Sequence, residues 1–127
     1  MISQRHCLFI DDDADYQEFF RDAALTIDPS LNCTFAINGS EAVSMLQDAS
    51  FIPDFIFIDM NMPKMNGKET LEEIRKMERL KDVAVYIYST AAAPRTTDEM
   101  MALGATEFLI KPSSVQGLQD LLGKILK

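Results

Sequence analysis

The sequence has few basic residues and no long apolar run, and each absence excludes a class of function. Its 127 residues include 12 Lys and Arg against 20 Asp and Glu, a formal net charge of -8 at pH 7. Binding to DNA, RNA or an anionic membrane surface through phosphate contacts needs clustered Lys and Arg, so we predict no nucleic-acid and no membrane partner. No apolar run approaches the roughly 20 residues of a membrane span, and we predict a cytoplasmic protein.

Cysteine and histidine are scarce as well. Cys7 and Cys33 are the two cysteines, and each lies within an apolar run. We interpret them as buried thiols rather than as a disulfide or a metal site. His6 is the single histidine and stands at the start of a predicted strand. A histidine outside a helix argues against a histidine phosphotransfer module.

The composition is otherwise that of one globular domain. Hydrophobic residues make up 47% of the chain and charged residues 25%, which is typical of folded proteins. No linker, low-complexity tract or second compositional zone divides the sequence. Since the length also suits one compact domain, we predict that residues 1–127 form a single domain.

Short apolar runs alternate with longer amphipathic segments along the chain. The runs are nearly continuous and rich in β-branched and aromatic residues, as in strands that are covered on both faces. The segments between them carry apolar residues at three- and four-residue steps, which predicts helices. Five such repeats with short connections indicate an α/β fold, a doubly wound parallel sheet with helices on both faces. The predicted strands are residues 7–10, 33–37, 55–58, 83–88 and 107–110.

Local signals mark several helix ends. Asn38 with Glu41 predicts a capping box at the start of the second helix. Gly104 predicts the end of the fourth helix. Ser113 or Ser114 predicts the N-cap of the last helix.

Polar residues follow four of the predicted strands. Residues 11–13, the run "DDD", follow the first strand, and Asp59 follows the third. Ser89 and Thr90 follow the fourth strand, and Lys111 follows the fifth. Because ligands of open α/β sheets bind beyond the carboxyl ends of the strands, we expect these side chains to surround one site.

These residue types together predict phosphoryl transfer to an aspartate. Clustered carboxylates repel one another unless a cation lies between them, and Mg²⁺ takes oxygen ligands from carboxylates and water. A lysine can neutralise a phosphoryl oxygen, and a hydroxyl can donate a hydrogen bond to it. A carboxylate can itself be the nucleophile that accepts the phosphoryl group.

Four motifs, "FIDDDAD", "FIDMNMPKMNG", "VYIYST" and "GATEFLIKPSS", resemble the receiver domain of two-component response regulators. The resemblance is to single-domain chemotaxis regulators and, more loosely, to receivers that partner phytochromes. Its spacing is 30 residues from Asp59 to Ser89 and 22 from Ser89 to Lys111. It covers the whole chain and implies a flavodoxin-like (βα)5 fold, strand order 2-1-3-4-5, and no output domain in residues 1–127.

The resemblance also implies a function, namely a phosphorylation-dependent switch in a two-component phosphorelay. The phosphoryl group would come from a histidine kinase or a histidine phosphotransfer protein. The signal would pass to an unknown downstream protein by direct contact, from a monomer or a weak homodimer. The protein would catalyse only its own phosphorylation and dephosphorylation.

The acidic positions acquire individual roles from the same resemblance. Asp59 corresponds to the phosphoacceptor. Asp11, Asp12 and Asp59 would hold Mg²⁺ together with the backbone carbonyl of Asn61. Asp12 is expected to bind the ion directly, and Asp11 through water.

The resemblance assigns the remaining positions to phosphoryl stabilisation and switching. Ser89 would hydrogen-bond the phosphoryl group and Lys111 would neutralise it. Phe108 corresponds to the aromatic residue that follows the movement of Ser89. Pro112 would follow a cis peptide bond that orients the lysine.

Three positions depart from the family pattern. Thr90 is larger than the usual residue and would narrow access to the site. Phe108 lacks the hydroxyl of the tyrosine that is often present, so hydrogen bonding has no part in its movement. Asn66 replaces a common aspartate before Gly67, with little expected consequence.

Two other functions remain open from the residues alone. A phosphatase of the haloacid dehalogenase type would use Asp11 and Asp13 as its reacting pair, although Asp15 stands where its usual threonine is expected. Multiple turnovers on a small phosphate ester would favour that enzyme. A degenerate receiver that only binds a partner is disfavoured, because no acceptor, metal or lysine position is lost.

Overall fold

Strands and helices alternate along the chain in the computed structural model, which describes residues 5–62, 65–90 and 93–126. No helix in this part of the chain is long and apolar enough to cross a bilayer. A short 3-10 helix at Glu78–Leu80 precedes the fourth strand. The other elements are β1 (His6–Ile10), α1 (Ala14–Ile27), β2 (Asn32–Ala36), α2 (Gly39–Leu46), β3 (Phe55–Asp59), α3 (Gly67–Arg75), β4 (Ala84–Ser89), α4 (Pro94–Ala102), β5 (Glu107–Ile110) and α5 (Val115–Leu126).

The five strands form one parallel sheet in the order β2-β1-β3-β4-β5. The predicted fold class and strand order are therefore confirmed. The order reverses between β1 and β3, because the chain adds β2 on one side of β1 and then returns to the other. A crevice at the carboxyl ends of β1 and β3 is where such sheets bind ligands.

Two apolar clusters hold the helices against the two faces of the sheet. Neighbouring strand residues point to opposite faces, so Phe9 and Tyr88 pack with α1 and α5. Ile10 and Ile87 pack with α2, α3 and α4 on the other face. Each large apolar side chain that is fully buried contributes about 1.5–3 kcal/mol of transfer free energy. Both faces of the sheet are covered, which accounts for the continuous apolar runs.

The predicted helix ends are found, with one difference in their hydrogen bonds. Gly104 follows α4 with a φ of 107°, in the left-handed region that favours glycine. Ser114 caps α5, since its Oγ accepts from the backbone N–H of Gly117 at 3.0 Å. Asn38 caps α2 by accepting from the Glu41 N–H at 2.8 Å.

The Glu41 carboxylate does not complete the predicted capping box and instead contacts the residue that follows β2. It accepts from the N–H of Ile37 at 3.1 Å instead of from that of Asn38. Ile37 lies outside the strand and is 55% exposed. The prediction that β2 includes Ile37 was therefore wrong, since the last pairing of β2 with β1 is that of Ala36 with Ile10.

Candidate functional site

Three carboxylates meet at the carboxyl edge of the sheet, where the strand order reverses. Asp11 directly follows β1, Asp59 ends the adjacent β3, and Asp12 follows Asp11 in the loop. One carboxylate oxygen from each lies within 4.8 Å of the others. Asp11 is 0% exposed and Asp59 6%, whereas Asp12 is exposed. The predicted acidic group is therefore brought together, with two buried members and one open to solvent.

Three donors compensate the buried charge of Asp11. Its Oδ1 accepts from the backbone N–H of Asp13 at 2.8 Å. Its Oδ2 accepts from the Tyr88 hydroxyl at 2.7 Å and from the Lys111 ammonium at 3.0 Å. A carboxylate without solvent contact needs such partners, since an unpaired buried charge costs several kcal/mol.

Lys111 reaches both buried carboxylates from the end of β5. Its Nζ lies 3.0 Å from Asp11 Oδ2 and 3.7 Å from Asp59 Oδ2. The ammonium also lies 4.1 Å from the ring centroid of Tyr16 and 5.1 Å from that of Tyr88, within the range of cation–π attraction. The lysine is thus held between two carboxylates and two rings, closer to Asp11 than to Asp59.

The Asp59 carboxyl holds a proton more tightly than an exposed aspartate. Burial, and then the negative charge of Asp11, raise its pKa from 3.8 to about 6. The Lys111 ammonium and the backbone N–H of Asn61, which lies 3.2 Å from Asp59 Oδ1, act in the opposite direction. Loss of water and carboxylate repulsion therefore outweigh the lysine in this site.

The donor set fits a hard divalent cation. It consists of carboxylate oxygens close enough to share one ion, and such oxygens are the ligands that Mg²⁺ prefers. Burial and then the charge of Asp11 raise the pKa of Asp59, and a cation would offset that charge. Exposed Asp12 leaves one side of the group open to solvent, which suits an ion that keeps several waters.

The two hydroxyl residues after the apolar run of β4 differ in burial. Ser89 is the last residue of β4 and is 5% exposed, whereas Thr90 is exposed. Strand alternation places Ser89 on the face of Ile87. Phe108 of β5 is half-buried and packs against the apolar cluster of that face. Ser89 and Phe108 therefore share the face that α2, α3 and α4 cover.

The peptide bond before Pro112 is trans, since no cis peptide bond occurs among the described residues. The prediction of a cis bond was wrong. Trans is the lower-energy isomer of an X–Pro bond, and with it the Lys111 ammonium already reaches both carboxylates. The carbonyl of Pro112 accepts from the Tyr16 hydroxyl at 3.0 Å, which fixes this segment against α1.

Sequence reasoning missed the part that Tyr88 plays in this site. A tyrosine in an apolar strand is typical of a packing residue, yet the Tyr88 hydroxyl binds Asp11. Burial, and then the charge of Asp11, raise the pKa of Tyr88 well above its usual value, so the hydroxyl remains a donor. Strand alternation gave one signal. Neighbours on a strand point to opposite faces, so Tyr88 lies on the face that Ser89 does not share. Tyr88 also lies beside Asp59 in the register of β3 and β4.

Asp13 has a structural role in place of the catalytic one considered for it. Its carboxylate caps α1 by accepting from the backbone N–H groups of Asp15 and Tyr16, at 3.0 and 3.3 Å. The phosphatase alternative with Asp11 and Asp13 as reacting pair therefore gains no support from the geometry.

A cavity of about 480 Å³ opens beside the lysine. Tyr16 and Phe19 of α1 line one side, and Thr90, Lys111 and Pro112 line the other. Thr90 thus lines the same cavity as Lys111.

The chain matches the family model of the response regulator receiver domain over residues 7–123. This chain belongs to that family. It is thus a receiver domain of two-component signalling, and the resemblance inferred from the four motifs is confirmed.

Relatives of this receiver include the probable C4-dicarboxylate response regulator DctR of Bacillus subtilis, 32% identical over 117 residues. The alignment covers 92% of this chain and 50% of DctR. Chemotaxis protein CheY of Pseudomonas aeruginosa is 32% identical over 96 residues, with 76% of both chains covered. The receiver therefore spans about half the length of one curated relative and about three quarters of the other.

The fold is shared with the crystal structure of the phosphorylated cyanobacterial phytochrome response regulator RcpA. The TM-score is 0.88 at 21% sequence identity, and the match covers 97% of this chain and 91% of that chain. At this identity the similarity concerns the fold alone.

Proposed function

We propose that this receiver accepts a phosphoryl group on Asp59 from a histidine kinase or a histidine phosphotransfer protein. One observation carries the proposal. The Asp59 carboxylate ends β3 beside Asp11 and Asp12, and its Oδ2 lies 3.7 Å from the Lys111 ammonium. A nucleophilic oxygen, an acidic cation site and a mobile positive charge thus surround the same point.

The transfer exchanges one bond to phosphorus for another. An oxygen of ionised Asp59 attacks the phosphorus of a phosphohistidine, a P–O bond forms, and the P–N bond breaks. The departing imidazole keeps the electron pair of the broken bond and takes a proton from water. Lys111 turns from Asp11 to a phosphoryl oxygen and neutralises charge there. Fixed positive charge at that oxygen lowers the barrier, and the receiver itself turns over no further substrate.

The acidic group fits Mg²⁺ as its cofactor. Asp12, Asp59 and the backbone carbonyl of Asn61 would hold the ion, with Asp11 acting through water. The burial of Asp11, whose two oxygens both accept from protein donors, supports that division. When bound, the ion supplies positive charge that offsets the carboxylates and the incoming phosphoryl oxygens.

The switch is proposed to run through Ser89 and Phe108. Ser89 moves toward a phosphoryl oxygen and leaves space into which Phe108 turns, so phosphorylation biases two states of one face. Their location on the same side of the sheet supports this coupling. Thr90 acts as a partial lid, because it lines the approach to Lys111.

The output is proposed to be contact with another protein through α4, β5 and α5. Met101, Ile110 and Val115 of these elements are 44%, 53% and 54% exposed, and exposed apolar side chains of this kind suit a protein partner. The charge of -8 argues against nucleic acid as that partner. The proposal takes residues 1–127 as one receiver domain that works in the cytoplasm as a monomer or weak homodimer.

Transfer of radiolabel from a phosphorylated histidine kinase tests this function. Label is expected on the wild-type receiver and on Asp54→Asn, which changes an exposed aspartate just before β3. Asp59→Asn should remain unlabelled. Comparable labelling of Asp59→Asn would contradict the proposal, as would repeated turnover of a small phosphate ester by the wild type.

A further inference from the structure

The Lys111 ammonium cannot contact Asp11 and a phosphoryl group on Asp59 equally well. In the structure its ammonium lies closer to Asp11 Oδ2, at 3.0 Å, than to Asp59 Oδ2, at 3.7 Å. A lysine that neutralises a phosphoryl oxygen on Asp59 must therefore turn away from Asp11. Asp11 is 0% exposed, so bulk solvent does not reach its side chain to replace the departing ammonium, and a donor fixed in the protein has to remain there.

The Tyr88 hydroxyl donates to the same oxygen that Lys111 has to leave. It lies 2.7 Å from Asp11 Oδ2, and nothing in the transfer requires it to move. Its ring stacks on Phe9 with centroids 5.3 Å apart and on Tyr16 at 6.1 Å. Its backbone carbonyl accepts from the N–H of Met60 at 2.9 Å. Ring stacking and the backbone hydrogen bond of β4 thus fix the position of the hydroxyl.

The Lys111 ammonium also contacts two tyrosine rings, and it can keep these contacts as it moves from one carboxylate to the other. The ammonium lies 4.1 Å from the ring centroid of Tyr16 and 5.1 Å from that of Tyr88. Cation–π attraction accepts a range of ammonium positions over a ring, so it persists while the lysine turns. The bond from Tyr16 to the carbonyl of Pro112 fixes the backbone from which the lysine extends.

We propose that Tyr88 is a positioning residue for phosphoryl transfer, whose hydroxyl stays on Asp11 and so releases Lys111 to the phosphoryl group. Without the hydroxyl, the buried carboxylate has the lysine as its one side-chain donor in the described structure and holds it back. The inference rests on the proposed function, because it concerns the same transfer to Asp59.

Tyr88→Phe removes the hydroxyl and keeps the ring. Calorimetry measures two ligands, first Mg²⁺ alone and then beryllofluoride, a mimic of a phosphoryl group on a carboxylate, in saturating Mg²⁺. Mg²⁺ should bind Tyr88→Phe at least as tightly as wild type, because the hydroxyl no longer draws charge from Asp11. Beryllofluoride should bind about tenfold more weakly, as for the loss of one hydrogen bond to a charged group. A merely structural defect would weaken both ligands.

Tyr86→Phe is the matched control. Tyr86 lies two residues earlier on the same face of β4, and its ring stacks on Phe57 at 5.0 Å. Both ligands should bind this variant as they bind wild type.

A double mutant with Lys111→Gln gives an independent readout, and thermal unfolding verifies that each variant is folded. With no ammonium to release, Tyr88→Phe should cause no further loss of phosphorylation rate with acetyl phosphate. Equal losses from Tyr88→Phe in both backgrounds would overturn the proposal, as would wild-type beryllofluoride binding by Tyr88→Phe. If wild type itself binds no beryllofluoride, the proposed function fails and Tyr88 loses its role with it.

Discussion

Replacing Asp59 by asparagine is expected to stabilise the folded protein when no divalent cation is present. The Asp59 side chain is 8% exposed and lies beside the buried charge of Asp11. Burial and that charge raise the pKa of Asp59 from 3.8 to about 6. The folded protein thus holds the proton more tightly than the unfolded chain does, so ionisation of Asp59 opposes folding.

The size of this effect follows from the two pKa values. At about 1.4 kcal/mol per pH unit, a rise from 3.8 to about 6 corresponds to about 3 kcal/mol of lost stability. The cost is absent below the unfolded pKa, grows as the pH rises, and is complete above the folded pKa. The amide variant should therefore gain up to about 3 kcal/mol at pH 8 and less than about 1 kcal/mol near pH 4.

Urea unfolding in EDTA at the two pH values measures the difference. Asp98→Asn, which changes an exposed aspartate on α4, is the matched control and should change stability little at either pH. Millimolar Mg²⁺ should stabilise wild type more than Asp59→Asn, because ligand binding to the folded state adds to its stability. Equal stability of wild type and Asp59→Asn at pH 8, or a gain that persists undiminished at pH 4, would show that burial and the Asp11 charge do not oppose the ionisation of Asp59.

Five other substitutions give three separate tests. Asp12→Ala should weaken Mg²⁺ binding about tenfold or more in a calorimetric titration. Asp15→Ala should change Mg²⁺ binding little. Equal losses of affinity in the two variants would mean that the acidic run is only a diffuse patch. Ser89→Ala should still take a phosphoryl group but lose about 1–3 kcal/mol of coupling to partner binding. Thr90→Ala should couple phosphorylation to partner binding as wild type does, but should lose its phosphoryl group faster. If Thr90→Ala loses the coupling while Ser89→Ala keeps it, the roles of the two residues are exchanged. Asn66→Ala should cost about 1 kcal/mol in urea unfolding, because Asn66 forms the capping box of α3, and an unchanged midpoint would contradict that role.

Most of the fold could be predicted from local patterns. Apolar runs that are buried on both faces and helical stripes between them specify a parallel sheet with two covered faces. The strand order came from the family resemblance, because an apolar run such as "FIFI" does not indicate which strands pair with it in the sheet. Ile37 shows where local patterns fail. It continues an apolar run, but the pairing of β2 with β1 ends at Ala36, and the Ile37 N–H donates to the Glu41 side chain.

The positions of the site residues could be predicted because strand ends of a parallel sheet meet at one edge. Their partners could not be predicted in the same way. The bond from Tyr88 to Asp11 depends on how β4 and β1 lie across β3, which the sequence alone does not contain. The hydrogen bond from the Tyr16 hydroxyl to the carbonyl of Pro112 likewise joins residues that are far apart in the sequence. The apolar patterns around Tyr16 and Tyr88 thus did not indicate that their hydroxyls donate hydrogen bonds in the site.

The most direct test of phosphoryl transfer to Asp59 is the mass of the intact protein after incubation with acetyl phosphate, with and without Mg²⁺. Wild type should gain one phosphoryl group only when Mg²⁺ is present, and peptide mapping should place it on Asp59. Asp59→Asn should gain none under the same conditions, while Asp54→Asn should behave as wild type. A phosphoryl group on another residue, or an equal gain by Asp59→Asn, would contradict the assignment of Asp59 as the acceptor.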